Sequence, residues 1–295
     1  MHASVHLSHH AVRLGRALLS LGRPTEAMSR FEEALKLRKE WAAAVSNSAE
    51  SRSYLVEVYM WLGTTSWHRG DAQATTRHFR DGLGIGESLV KEHPGDFSYK
   101  EDLVQVYGAE GDALVNLGRD EEATRSYQRA REYLDLSLAR NPDNPVHLPY
   151  LALLHERFGG LAQRRGQRVE AEKHYGEALK IREALVVLHP DHRVWQAAYA
   201  VALARAGKHA EATRPADELR RQAGQSPELL LQVARCHAAC ASAAAPKQDH
   251  TSKALEALQA LAALDFRDPV LLRTDPDLAA LQKEPSLRTL LAKME

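Results

Sequence analysis

Gly22, Gly70, Gly118 and Gly166 stand 48 residues apart, and the chain around them keeps the same step. Downstream of each run Ala27, Thr75, Ala123 and Ala171, then Phe31, Phe79, Tyr127 and Tyr175, then Ala34, Gly82, Ala130 and Ala178. Upstream run Leu7, Leu55, Leu103 and Leu151, followed by Gly15, Gly63, Gly111 and Gly159. A fixed period of this length constrains the fold more than any other feature. Each copy must be one supersecondary unit that buries its apolar face on its neighbours, so no single central core is needed. For a chain of 295 residues, length therefore does not count domains.

Each period holds two amphipathic segments. Leu55, Val58, Tyr59 and Leu62 fall at helical spacing in the first, and Phe79, Leu83, Ile85 and Leu89 in the second. Glycine stands where the first helix should stop, and Pro24, Asp71 and Asp120 follow at first-turn or capping positions. A second turn carries Pro94, Pro142 and Pro190, again in step. Small residues of the Gly15 and Ala34 series let two helix backbones approach, and the aromatic of the Phe31 series fills the space beside them. The pattern predicts antiparallel helix pairs.

Composition removes several functions. Equal totals of 39 basic and 39 acidic residues leave no basic face for a phosphate backbone or an anionic lipid surface, so nucleic-acid binding is disfavoured. Two cysteines exclude a disulfide framework and fit a reducing compartment. No apolar run approaches the ~20 residues of a spanning helix, and histidines and arginines interrupt the first 22 residues where a signal sequence would be apolar. The expectation is a soluble, cytoplasmic chain without membrane insertion. The repeat register also puts Met1 at or inside the first helix with no cap, as in a piece of a longer protein.

Leu14-Gly15, Gly22, Ala27, Phe31 and Ala34 in the first copy, and Leu62-Gly63, Gly70 and Phe79 in the second, resemble the tetratricopeptide repeat. Residue type and spacing agree together over four copies. Thr75 and Gly82 depart from the two alanines, and Glu110 and Phe158 stand where leucine is usual. The resemblance implies an all-α fold, a right-handed superhelical solenoid of antiparallel helix pairs. The family's usual period is ~34 residues, so each copy here is longer by about 14. About seven extra residues per helix add almost two turns and return the buried stripe to within about 20° of its former direction. Leu37, Ile85, Tyr133 and Ile181, then Ala42, Val90, Leu138 and Val186, carry the pattern onward, so helices of ~20 residues, ~30 Å long, are expected.

The expected organisation is four long repeats over 1–190 (about 1–46, 47–94, 95–142 and 143–190), two shorter degenerate repeats over 191–265, and a C-terminal cap over 266–295. In the fifth repeat Gly207 holds the turn and Ala212 its offset, while Ala216 takes the aromatic's place. The last segment, with its Asp-Pro pairs, suits a cap that closes the stack.

Motifs that carry chemistry are lacking. Gly82, Gly84 and Gly86 lie inside a helix without the strand that a phosphate loop follows. Cys236 and Cys240 sit one turn apart among alanines, in the wrong order for haem attachment, and read as small buried residues. His2, His6 and His9 share a helix face that would suit a metal, without an acidic or cysteine companion. No zinc-protease, nucleophile-elbow or Walker motif occurs, and His155 onward does not supply a di-metal element. The expectation is a non-enzyme with no cofactor and no metal.

In the resembled family the first helix of each pair lines a concave groove that takes a peptide or protein segment. Carried across by register, the groove positions are Glu57, Met60, Thr64, Trp67 and His68, then Gln105, Asp112 and Asn116, then Glu156, Gln163 and Arg164. Trp67 is the candidate anchor, or else packs between repeats. The subset of the family that grips a chaperone's C-terminal carboxylate uses positions that here hold Val12, Arg16, Trp61, Gln105 and Ala109, with one base among them, so that function is disfavoured. The implied function is a protein-interaction scaffold. The long repeats and the ending DPDLAALQKEPSLRTLL also resemble arrays that follow the catalytic domain in some bacterial serine/threonine protein kinases, and a docking or regulatory tail of such a kinase is the alternative. A third reading is self-association through the uncapped N-terminal helix.

Overall fold

A computed structural model of the chain describes residues 2–142, 144–241 and 247–294. Among the described residues every regular element is helical, and none of the helices is long and apolar enough to cross a membrane. The helices form two compact units, residues 1–147 and 148–295.

Unit 1 contains α1 (His2–Ser20), α2 (Pro24–Ala44), α3 (Ala49–His68), α4 (Ala72–Glu92), α5 (Ser98–Asn116) and α6 (Asp120–Leu138). They pair as α1–α2, α3–α4 and α5–α6, with α2 packed on α3, α4 on α5, and α3 beside both α1 and α5. Lengths of 19 to 21 residues match the expectation drawn from the long period. The turn inside each pair is set by glycine. Gly22 has φ of 66°, its N–H donates to the Leu19 carbonyl at 2.9 Å, and Arg23 N–H reaches back to the Leu18 carbonyl at 2.9 Å. A left-handed residue of this kind satisfies the last carbonyls of one helix while reversing the chain. Pro24 then opens α2, and the Asp71 carboxylate caps α4 by accepting from Ala74 N–H at 2.8 Å. Asp120 is the first residue of α6, and with Glu121 and Glu122 it places negative charge on the first turn.

Glycine also sets the packing of the pairs. A Cβ added at Gly15 would fall 2.7 Å from the Phe31 ring, one at Gly63 2.9 Å from the Phe79 ring, and one at Gly111 closer still to Tyr127. The ring of the second helix thus lies on bare backbone of the first. Phe31 and Phe79 are fully buried, and Trp61 stacks on Phe31 at 5.9 Å. Two glycines of the 82–86 stretch also serve close packing: Gly82 lies beside Tyr59, and Gly86 beside Leu103. Leu7 and Leu14 are about half exposed, although Leu55 and Leu103 of the Leu7 series are buried.

Unit 2 starts in the same style. In α7 (Leu148–Arg164) and α8 (Arg168–Leu188), a Cβ at Gly159 would fall 2.7 Å from the Tyr175 ring. From there the helices shorten to between 13 and 16 residues: α9 (Arg193–Arg205), α10 (His209–Gln222), α11 (Pro227–Ala241) and α12 (Lys247–Ala262). Ala200 and Ala216, both buried, stand in the glycine and ring positions of α9 and α10. Cys236 of α11 reaches in, its Sγ 3.3 Å from the Ala200 carbonyl. Both cysteines are buried and free. After α12 come α13 (Pro269–Thr274), a 3-10 helix (Pro276–Leu281) and α14 (Pro285–Ala292), whose Leu272, Leu278, Leu281, Leu287 and Leu291 join the core of α9 to α12.

Candidate partner-binding surface

The groove positions of unit 1 lie on α3 and α5, which pack side by side. They differ in how much they offer. Glu57 is committed to the chain itself: its carboxylate meets Arg38 Nη2 at 2.9 Å. Arg38 is fully buried and also donates to the Tyr54 carbonyl, so the pair ties α2 to α3. Burial holds the Arg38 guanidinium below its ordinary range, and Glu57 pulls the other way. Met60 is buried. Asp112 accepts from the Tyr127 hydroxyl at 2.8 Å, and Asn116 donates to the Asp112 carbonyl at 2.8 Å. Thr64 and Trp67 are half-buried, Trp67 sits against His68 with ring centroids 4.2 Å apart, and Gln105 is exposed. Unit 1 therefore leaves Thr64, Trp67 and Gln105 as side chains of this set that retain accessible surface, with His68 packed against Trp67.

The carboxylate-grip positions follow the same division. Val12 is buried, Trp61 is stacked on Phe31, and Arg16 lies over the Trp61 ring at 5.1 Å. The single base at those positions thus already faces an aromatic partner.

In unit 2 Gln163 and Arg164 are exposed, with Gln163 Oε1 accepting from the Tyr175 hydroxyl at 2.8 Å. Glu156 has a different surrounding. Its side chain is 9% exposed and joins Arg182 of α8 and Arg205 of α9, each at 2.9 Å. Arg205 continues to Asp277 of the 3-10 helix, with bonds of 3.0 and 2.6 Å, and Arg235 of α11 meets Asp275 at 2.6 Å. The first helices α9 and α11 are thus contacted by Asp277 of the 3-10 helix and by Asp275, which caps it. Sequence reasoning did not single out Arg182, Arg205, Arg235, Asp275 or Asp277. The Asp-Pro pairs at 268–269 and 275–276 are the signal in the sequence, and by themselves they point only to a terminal cap. Asp268 and Asp275 do cap their helices, accepting from Leu271 N–H at 2.8 Å and Asp277 N–H at 3.0 Å.

Among the described residues no group of three His, Cys, Asp or Glu side chains is placed to hold a metal ion. Of the histidine trio, the side chain of His2 lies outside the described residues, and His9 packs edge-on against Tyr54 at 5.0 Å.

Comparison with known proteins gives two family matches. A model described as the bacterial transcriptional activator domain matches residues 5–154, and one described as a tetratricopeptide repeat matches residues 157–193. The photosystem I assembly protein Ycf3 of Prochlorococcus marinus, in strains NATL1A and NATL2A, is 24% identical over 144 residues, 49% of this chain and 71% of that protein. Among solved structures, pilF of Pseudomonas aeruginosa aligns over 99% of both chains at 14% identity and a TM-score of 0.40. The TPR2AB domain of yeast Sti1, solved as a complex with pHSP90, aligns over 98% of both at 14% identity and 0.33.

Proposed function

We propose, from the premise that this chain belongs to the bacterial transcriptional activator domain family, that it is a non-catalytic scaffold which binds a peptide or protein segment on the first helices of its pairs. It is a tetratricopeptide-repeat protein, and repeats of this type mediate protein–protein interaction. The observation that carries the reading is the side-by-side packing of α3 and α5, which brings Thr64, Trp67 and Gln105 onto consecutive first helices. Trp67 is the anchor, since a half-buried aromatic contributes large contact area for little lost side-chain freedom. The family's description supports a cytoplasmic setting in bacterial transcriptional activation. The even charge balance supports contact with proteins there and not with nucleic acid. The four long repeats to residue 190, the two shorter ones to 265 and the cap to 295 are the units of this scaffold.

The test is selection of a displayed peptide library on the full chain, with affinities of the enriched peptides measured against Trp67→Ala and Gln105→Ala variants. The expected result is a weakening of about tenfold or more for Trp67→Ala. Enriched peptides that bind the variants as tightly as the parent would overturn the assignment of the surface. A kinase docking tail remains the alternative that the terminal DPDLAALQKEPSLRTLL segment supports, and a kinase reading frame directly upstream would favour it. Self-association through α1 draws on the exposed Leu7 and Leu14, and light scattering that reports a monomer at every concentration removes it.

A further inference from the structure

A cleft of about 440 Å³ opens between α4, α5 and α6, within the size range of small-ligand sites. It arises at three positions, one in the second copy and two in the third, where the residue departs from its counterparts in the other copies. Gly84, on its rim, stands where the other copies carry Lys36, Glu132 and Lys180. Ser126 stands where they carry Arg30, His78 and His174. Glu110 stands where they carry Leu14, Leu62 and Phe158. In unit 2 the last two positions are filled by rings, Phe158 stacked on His174 with centroids 5.4 Å apart. In unit 1 the same two positions hold a hydrogen bond, Ser126 Oγ donating to Glu110 Oε2 at 2.7 Å, and the space the rings would take is left open.

Internal pairing shows which charges remain for a ligand. Arg119 is held by Glu122 through two bonds of 2.6 and 2.7 Å and donates to Thr76 at 3.2 Å. Glu87 accepts from the Tyr107 hydroxyl and lies 3.7 Å from Arg129. Burial pushes the Glu110 carboxyl up, with the Ser126 hydrogen bond opposing. Arg80 of α4 and Arg125 of α6 both line the cleft, and neither makes a hydrogen bond or ion pair among the described residues. Leu83 and Leu114 add apolar lining.

We propose that this cleft binds a small amphipathic organic anion, its carboxylate or phosphate held by Arg80 and Arg125 and its apolar body lying along Leu83 and Leu114. Guanidinium groups suit such anions because their donors match the oxygens in pairs. The site lies on α4, α5 and α6 and uses none of Thr64, Trp67 or Gln105, so it stands or falls apart from the peptide-binding reading.

Calorimetric titration of the full chain with 4-phenylbutyrate, 4-phenylbutylamine and inorganic phosphate tests it. Saturable binding is expected for phenylbutyrate alone, weakened about tenfold or more by Arg80→Ala with Arg125→Ala. Gly84→Glu restores the residue type of the third copy and places a carboxylate where the anion would lie. A Cβ there meets no atom within 4 Å, so this variant should keep a melting temperature at or above the parent's while losing phenylbutyrate binding. Equal binding of the amine, equal binding of inorganic phosphate, undiminished binding to a folded Gly84→Glu variant, or no saturable binding of phenylbutyrate would each overturn the proposal.

Discussion

Unit 1 holds its helix pairs together with rings on glycines, whereas the later part of unit 2 uses alanines, a buried cysteine and a chain of buried ions. In α1 to α6 each pair is joined by one contact that cannot be made with any larger residue, and the charges are mostly exposed pairs one turn apart, such as Arg23–Glu26 and Arg129–Glu132. In α9 to α12 the ring is gone and the helices are shorter, and a network of Glu156 on α7, Arg182 on α8, Arg205 on α9 and Asp277 of the 3-10 helix, with at most 20% side-chain exposure, ties this part to the pair before it. The difference teaches that one repeat plan tolerates two ways of fixing neighbours. Shape complementarity acts locally within a pair, while a buried ion network spans several pairs and depends on all its members.

The largest expected effect comes from breaking that network. Arg205→Ala leaves Glu156 with Arg182 alone and Asp277 without its cation, and should cost about 3–5 kcal/mol, read as a lower urea midpoint for unit 2. If the cost is below about 1 kcal/mol, as for exposed pairs, the contrast between the units dissolves. Next, Gly63→Ala forces a methyl into the Phe79 ring and should cost about 1–3 kcal/mol by overpacking. At the matching position in α9 the reverse change, Ala200→Gly, should cost about 1 kcal/mol from lost helix propensity. Equal and larger losses at both sites would show that the ring is not what sets the first pair apart.

Acid should separate the units in opposite senses. His237 in unit 2 is buried and its pKa is pushed down to about 4, by burial first, with Asp217 opposing and His250 and Lys253 adding to the fall. Its folded-state value lies below the ordinary 6.5, so the stability it confers is present above that pH and is lost as pH falls towards 4. Asp102 in unit 1 is pushed up to about 6 by burial, the Ser53 hydrogen bond opposing. A raised carboxyl works the other way: the stability it withholds at neutral pH returns as pH falls from about 6 towards 3.8. Each effect is on the order of 1–2 kcal/mol between pH 7 and 5. Hydrogen exchange at the two pH values, corrected for intrinsic rates, should show protection falling in unit 2 but not in unit 1. His237→Gln and Asp102→Asn should each flatten the response of their own unit.

Smaller effects sharpen the local part of the comparison. Asp71→Ala removes the cap of α4 and should lower the melting temperature by the equivalent of ~1 kcal/mol. Arg168→Ala, in an exposed pair with Glu172, should leave the melting temperature unchanged within measurement error.

These contrasts also explain what the sequence made legible. Turn glycines, helix lengths and the seating of Phe31 on Gly15 follow from residue types that recur in register, because each depends on neighbours a few turns away. Ion pairing does not follow so simply. Arg205 and Asp277 are 72 residues apart, and Arg182 and Glu156 are 26 apart, on helices whose relative rotation no local period reveals. Glu57 and Glu156 therefore looked like groove carboxylates by register, while each is held by a buried arginine. The cleft was legible only in Glu110, which departs from the usual leucine of the repeat, and only the fold brings it together with Gly84 and Ser126. The membership in the transcriptional activator family was not visible in the repeat residues, which carry packing and not biological setting.

The 72-residue reach of the Arg205–Asp277 pair has a consequence for biosynthesis. On the ribosome, α1 to α6 are able to close in turn as each next helix emerges, since even the buried Arg38 finds Glu57 only 19 residues later. Arg205, by contrast, can meet Glu156 as soon as α9 forms, but its second carboxylate arrives only when Asp277 has left the exit tunnel, so nascent α9 stays half-matched through most of the translation of its unit.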